Sequence, residues 1–234
     1  MRALVTGASR GIGLAITQNL LQGGAERIYA SCRTPAAALH LQELQGEVGE
    51  RLRIIPLDVT QAESRRAALD TLEREGGFLD VLVNNAGINP HPDEQELAAI
   101  TEETMTAVLH CNVTAPLLLV KEALPLLRAS EHARVLNVSS NWGALSYVVF
   151  GGWYPYCLSK AALNMMTKKL AADLRGDGIT VFCAHPGWVS TDMGGSDAPV
   201  TPAEAAEGLC WLLRTGTLDM SGQFYDWKRA PHPW

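Results

Sequence analysis

A tyrosine and a lysine four positions apart, Tyr156 and Lys160, stand in the stretch WYPYCLSKAALN at residues 153–164. On a helix, that spacing puts both side chains on one face, a turn apart. A phenol in a first turn, beside an ammonium and the positive end of the helix, is a candidate general acid or base. Both surroundings favour the phenolate and should draw the group down from its ordinary value of ~10. Pro155 supplies a fixed φ suited to a first helical position, which sets Tyr154 outside the helix in an extended conformation. Tyr154 has no cation one turn on, because position 158 is leucine. Tyr156 is therefore the catalytic candidate. Upstream, NVSSNWG at 137–143 supplies Ser139 and Ser140, hydroxyls able to donate to an oxygen on which charge develops.

A second chemistry is written near the start. TGASRGIG at residues 6–13 has the spacing G-x3-G-x-G, with Gly7, Gly11 and Gly13 between an apolar run and a helical pattern. Glycines there permit a tight turn and let backbone N–H groups approach a pyrophosphate at a helix N-terminus. An ordinary tight turn explains glycines alone, and the strand–turn–helix setting favours the dinucleotide. A fold choosing NAD usually carries an acidic residue about twenty positions on, to bind the ribose 2′-hydroxyl. Counting from Gly13 reaches Arg33, and ASCRTP at 30–35 holds no Asp or Glu. A guanidinium at that place suits a 2′-phosphate, so NADP(H) is the expected cofactor.

These residues must be positioned by strand ends and helix starts. Apolar runs at 2–7, 27–32, 51–59, 78–87, 133–140, 178–185 and 222–227 read as strands. Helical patterns at 11–24, 36–45, 61–77, 101–129 and 156–175 alternate with them, and one more runs from Thr201 to about Arg214. Thr60 with Glu63 and Thr201 with Glu204 each read as a capping box, the second reinforced by Pro202 at the first helical position. Near-continuous apolar strands alternating with amphipathic helices imply a parallel sheet covered on both faces. The expectation is an α/β fold: one doubly wound (Rossmann) domain over 1–234, seven-stranded, with ligands at the carboxyl ends of the strands.

Composition narrows the partners. The chain has 234 residues, 47% hydrophobic, and a formal net charge of −6. That argues against a disordered chain and against nucleic acid or an anionic membrane surface as partner. The longest apolar run, near Val113 to Leu127, is interrupted by Pro116, Lys121, Glu122 and Pro125, and falls short of the ~18 residues of a span. The first residue leads straight into RALVTGAS, which leaves no room for a signal peptide. Five cysteines form no CxxC and suit a reducing compartment. A cytoplasmic protein is expected.

In order along the chain stand TGxxxGxG, NNAG (84–87), a serine after the fifth strand, and YxxxK from Tyr156 to Lys160. Together they resemble the short-chain dehydrogenase/reductase family over essentially the whole chain. CRTP, HPGWVSTDMGG and the terminal proline–tryptophan resemble its subgroup of C-factor and sniffer-like carbonyl reductases. The resemblance implies reduction of an aldehyde or ketone, with Ser140 polarising the carbonyl, Tyr156 protonating its oxygen and Lys160 holding the ribose. Asn112, in HCNVTAP, matches the family's helix asparagine. Pro116, four residues on, cannot donate to its carbonyl, so that oxygen is free to hold a water in a proton relay with Lys160.

For the cofactor, the resemblance implies contacts from Gly7, Ser9, Arg10, Gly11, Ile12 and Gly13 in the first loop. Arg33 follows the second strand, and Asp58 and Val59 the third. Asn84, Ala86 and Gly87 end the fourth; Tyr156 and Lys160 touch the ribose, and Val189 and Thr191 the nicotinamide carboxamide. Residues Asp192 to Pro199 become a substrate loop, and the helices at 101–129 and 156–175 pair into homodimers or homotetramers. Between Ser140 and Tyr156 the chain is a few residues longer than the family's pattern. Tyr147, Phe150, Trp153 or Tyr154 there lines an apolar pocket for a small carbonyl or alcohol substrate, or packs a surface flap. His185 reads as a packed strand-end residue and Cys157 as a packed small one. The resemblance also implies an alternative, a dinucleotide-binding signalling protein of the C-factor type, because members of that subgroup are associated with developmental signalling. Asn112, Ser140, Tyr156 and Lys160 all being present favours the enzyme, since a pure binder does not need all four. An epimerase or dehydratase would need a larger C-terminal region.

Overall fold

The computed structural model describes residues 1–234. Seven strands form one sheet: β1 (Arg2–Val5), β2 (Arg27–Cys32), β3 (Leu52–Pro56), β4 (Val81–Asn84), β5 (Arg134–Val138), β6 (Thr180–His185) and β7 (Phe224–Asp226). Their order is β3-β2-β1-β4-β5-β6-β7, and every pairing is parallel. Strands buried on both faces account for the near-continuous apolar runs. From β1 the chain winds outward through β2 and β3, then returns to place β4 on the other side of β1. That reversal opens a crevice at the carboxyl ends of β1 and β4, where a doubly wound sheet binds ligands.

Helices α1 (Gly11–Gln22), α2 (Leu39–Val48) and α7 (Pro202–Thr215) cover one face, with Ile16, Leu20, Leu41, Leu209 and Leu213 in its core. Helices α3 (Ala62–Glu75), α5 (Ala115–Arg128) and α6 (Tyr154–Asp173) cover the other, burying Leu69, Leu72, Leu119, Val120 and Leu127. The buried guanidinium of Arg65 ties α3 to α5 through Glu122, with both N···O distances near 3 Å (3.0 and 2.9 Å).

Three local expectations need correction. The Thr60–Glu63 capping box does not form. Asp58 takes the Thr60 hydroxyl at 2.6 Å and its N–H at 2.9 Å in an Asx turn, and α3 starts only at Ala62. The helix expected over 101–129 is two, α4 (Glu102–Leu109) and α5, joined by a wider turn at His110–Thr114. There Ala115 N–H bonds His110 five residues back, the register a π turn uses. Averaged over a window, Glu102–Arg128 is long and apolar enough to cross a membrane, at a mean hydropathy of 1.3. Its stripe of Leu119, Val120, Ala123, Leu126 and Leu127 instead fills the core. Third, α6 starts at Tyr154, so the tyrosine expected outside the helix is its first residue, after Trp153 in left-handed backbone (φ 56°). The Thr201–Glu204 capping box forms as expected.

Candidate active site

The turn after β1 works through its missing Cβ atoms. Gly7 (φ 64°) and Gly11 (φ 55°) hold left-handed backbone that other residues rarely adopt. A Cβ on Gly7 would come within 3.0 Å of Ala86 Cα, and one on Gly11 within 3.1 Å of Thr191 Cγ2. The loops after β1, β4 and β6 thus close on one another around a cleft of about 910 Å³. Ser9, Arg10 and Ile12 border it at one wall; Arg33, Asp58 and Val59 reach it from β2 and β3. Ala86, Gly87, Thr191, Tyr156 and Lys160 complete its far side. A cleft of this volume lined by two guanidiniums, a phenol and an ammonium has the size and polarity of a dinucleotide site.

Tyr156 lies in the first turn of α6, half-buried and bordering the cleft. Burial pushes its phenol up to about 12; contact with the Ser140 hydroxyl opposes that rise without reversing it. The expected lowering by Lys160 is absent because the ammonium does not point at the hydroxyl. Its Nζ sits 5.5 Å from the ring centre and donates to the Val138 carbonyl at 2.9 Å. Burial draws Lys160 itself down from 10.5 to about 8.

The two serines part company at the end of β5. Ser139 is buried and donates to Asn164 Oδ1 at 2.6 Å, although it, and not Ser140, borders the cleft. Ser140 accepts from Trp142 N–H at 3.2 Å and donates to Asn141 Oδ1 at 3.3 Å, near enough to Tyr156 to oppose the rise of its phenol. Asn112, in the π turn, is fully engaged: its Oδ1 accepts from Ile88 N–H at 2.8 Å, and its Nδ2 donates to the Ile88 carbonyl at 2.8 Å and to Ser159 Oγ at 3.0 Å. Ser159 in turn donates to the Tyr156 carbonyl at 2.7 Å. Asn112 therefore fastens the loop after β4 to the start of α6, a role its sequence position did not announce.

Other expected contacts are redistributed. Asn84 turns into the core, donating to Asn137 Oδ1 at 2.8 Å, and Asn85 borders the cleft in its place. Asn85 Nδ2 donates to the carbonyls of Thr6 (2.8 Å) and Gly7 (3.1 Å), which fixes the glycine turn. Gly13 is a packing residue: a Cβ there would lie 2.3 Å from the Gly7 oxygen. The Val189 side chain is packed with Val200 and Ala205, leaving Ser190 and Thr191 at the cleft. The aromatic flap is partly a wall. Phe150 and Trp153 pack edge-on against Trp142, at 5.3 and 4.8 Å between ring centres, and Trp142 against Tyr156 at 6.1 Å. Tyr147 is exposed. His185 ends β6 with burial drawing it down to about 4, and burial raises the Cys157 thiol, so neither is poised for chemistry.

A family model described as short chain dehydrogenase matches residues 1–200. The NADPH-bound carbonyl reductase from chicken fatty liver superposes with a TM-score of 0.94 at 35% identity, over 100% of this chain and 98% of that one. The carbonyl reductase Sniffer of D. melanogaster does so with a TM-score of 0.94 at 30% identity, over 100% and 99%. C-signal of Myxococcus xanthus is 36% identical over 158 residues, 68% of this chain and 94% of that protein. The chain belongs to the short-chain dehydrogenase family of oxidoreductases.

Proposed function

We propose that this protein is an NADP(H)-dependent carbonyl reductase, converting an aldehyde or ketone to an alcohol. The observation that carries the reading is the placing of Tyr156 and Lys160 together in the wall of the cleft, one turn apart on α6, with the Ser140 hydroxyl close enough to the phenol to oppose its rise in pKa. A nicotinamide dinucleotide, when bound, would supply the hydride that reduces the carbonyl carbon. The residues that would hold it are the glycine turn, Asp58, Ala86, Gly87 and Thr191, with Arg10 and Arg33 facing a 2′-phosphate. Neighbours solved with NADPH or NADP bound support that choice.

Ser140 donates to the substrate oxygen as charge builds there, and Tyr156 delivers the proton to the same atom. A phenol held at about 12 is fully protonated at neutral pH, which is the form reduction consumes; oxidation would need the phenolate. Lys160, one turn along α6 at the same cleft, would hold the ribose. Reprotonation runs through Lys160 and water at the Asn112 backbone. The support for this is the π turn, in which Pro116 has no N–H to offer the carbonyls of Cys111 or Asn112.

A dinucleotide-binding signalling protein is the second reading, favoured by the C-signal relative. The enzyme reading is favoured because a protein that only binds the dinucleotide does not need Ser140 and Tyr156 placed together with Lys160 and Asn112. A panel of ketones and aldehydes with NADPH and NADH separates the two. The enzyme reading requires turnover with NADPH, and cofactor binding with no turnover on any carbonyl rejects it.

A further inference from the structure

The loops that leave the sheet beside Tyr156 carry exposed apolar side chains that folding does not explain, and one of them, Met193, borders the cleft. Leu97 in the loop after β4, Val148, Val149 and Phe150 in the loop after β5, and Trp188 and Met193 after β6 are all exposed, Val149 to 80%. These loops leave the same ends of adjacent strands, and the first two are joined where Tyr154 N–H donates to the Gln95 carbonyl at 3.4 Å. Exposed apolar side chains gathered on loops that flank a cleft point to a binding face. It is continuous with the reacting centre: Phe150 packs on Trp142, and Trp142 stands edge-on to Tyr156.

Charge on the same loops is one-sided. Residues 88–101, 141–153 and 186–199 contain no lysine or arginine; their charged residues are Asp93, Glu94, Glu96, Asp192 and Asp197. The guanidinium that meets them, Arg10, is paired with Asp192 at 3.1 Å, and Lys160 is buried against Val138. An anionic substrate would bury its charge here with no cation to receive it.

We infer that the site takes an uncharged carbonyl compound with an extended apolar or aromatic substituent seated against Trp142, and rejects carboxylate- or phosphate-bearing carbonyls. The inference rests on the proposal that the carbonyl oxygen binds at Tyr156 and Ser140. Methyl 4-acetylbenzoate and 4-acetylbenzoate test it, since they share the reacting ketone and ring and differ only in a remote charge. The ester should exceed the acid at least ~30-fold in kcat/KM with NADPH, and in affinity for the NADP⁺ complex by calorimetry. Trp142→Ala should lower kcat/KM for the ester ~10-fold or more and leave propanal within ~3-fold, with NADPH affinity unchanged. Equal use of ester and acid, or preference for the acid or for acetoacetyl-coenzyme A, overturns the inference while leaving carbonyl reduction standing. If neither compound is reduced, the carbonyl panel decides the reductase reading and calorimetry decides the inference: selective binding of the ester upholds it, and equal binding overturns it.

Discussion

The Lys160 ammonium donates to the carbonyl oxygen of Val138 across 2.9 Å, inside the protein and 5.5 Å from the Tyr156 ring centre. Burial draws its pKa from 10.5 to about 8. Below pH 8 the folded and unfolded chains both carry the proton, and the folded one bears the whole penalty of burying it. Between about 8 and 10.5 the unfolded chain binds more protons, so stability rises with pH through that window. Lys160→Met should therefore raise stability at pH 7 by roughly 1–3 kcal/mol, less near pH 10, while abolishing carbonyl reduction. Urea unfolding at both pH values measures it, and a loss of stability at pH 7 would count against a buried charge.

His185 makes the opposite edge of the pH range fragile. Burial first, and the charge of nearby His232 second, draw the ring from 6.5 to about 4, and its Nδ1 has no partner. A folded-state pKa below the unfolded one means the unfolded chain takes up the proton first as pH falls. Stability is then lost from 6.5 down through about 4. His185→Met should leave stability at pH 7 nearly unchanged and gain about 2 kcal/mol at pH 4.5. Unfolding midpoints that fall in parallel for both proteins between those pH values would rule this out.

Ser139 and Ser140, adjacent in the chain, should fail in different ways. Ser139→Ala removes the 2.6 Å bond to the buried Asn164 and should lower stability by about 1–3 kcal/mol. Ser140→Ala should lose only about 1 kcal/mol through its turn but ~100-fold or more in carbonyl reduction. Melting temperatures beside kcat separate the two, and a larger rate loss in Ser139→Ala would reverse the assignment.

Cofactor choice is tested at Arg33, which borders the cleft with no carboxylate beside it in its own loop. Arg33→Asp should weaken NADPH binding ~100-fold or more by repulsion and lost hydrogen bonds, and leave NADH equal or better. Tighter binding of NADH than NADPH by the unsubstituted protein would refute NADP(H).

The sheet and the catalytic face were legible because they follow from short-range rules. Apolar runs between turn signals gave the seven strands, and Tyr156 with Lys160 share a face of α6 by spacing alone. What stayed hidden depends on partners distant in sequence. Nothing near Asn84 or Asn85 says which turns inward; Asn137, 53 residues on, claims the first, and the Thr6–Gly7 carbonyls claim the second. The bonds of Asn112 to Ile88 and Ser159 span three loops and helices, so a helix pattern could only mark it as an oddity before Pro116. The upward pKa of Tyr156 was missed for a related reason: spacing gives a lysine's proximity, but only the fold gives its direction and the depth of burial.

Carbonyl reduction by Tyr156→Phe, measured beside Tyr154→Phe and with NADPH affinity determined for each, tests the central claim most directly. Tyr156 borders the cleft with the Ser140 hydroxyl near its phenol, whereas Tyr154 is the first residue of α6, held through its backbone to Gln95. Tyr156→Phe should lose ~10³-fold or more in kcat while binding NADPH within ~3-fold of the unsubstituted protein, and Tyr154→Phe should keep most of its activity. An active Tyr156→Phe enzyme, or a Tyr154→Phe variant that binds NADPH normally and is dead, would contradict the account.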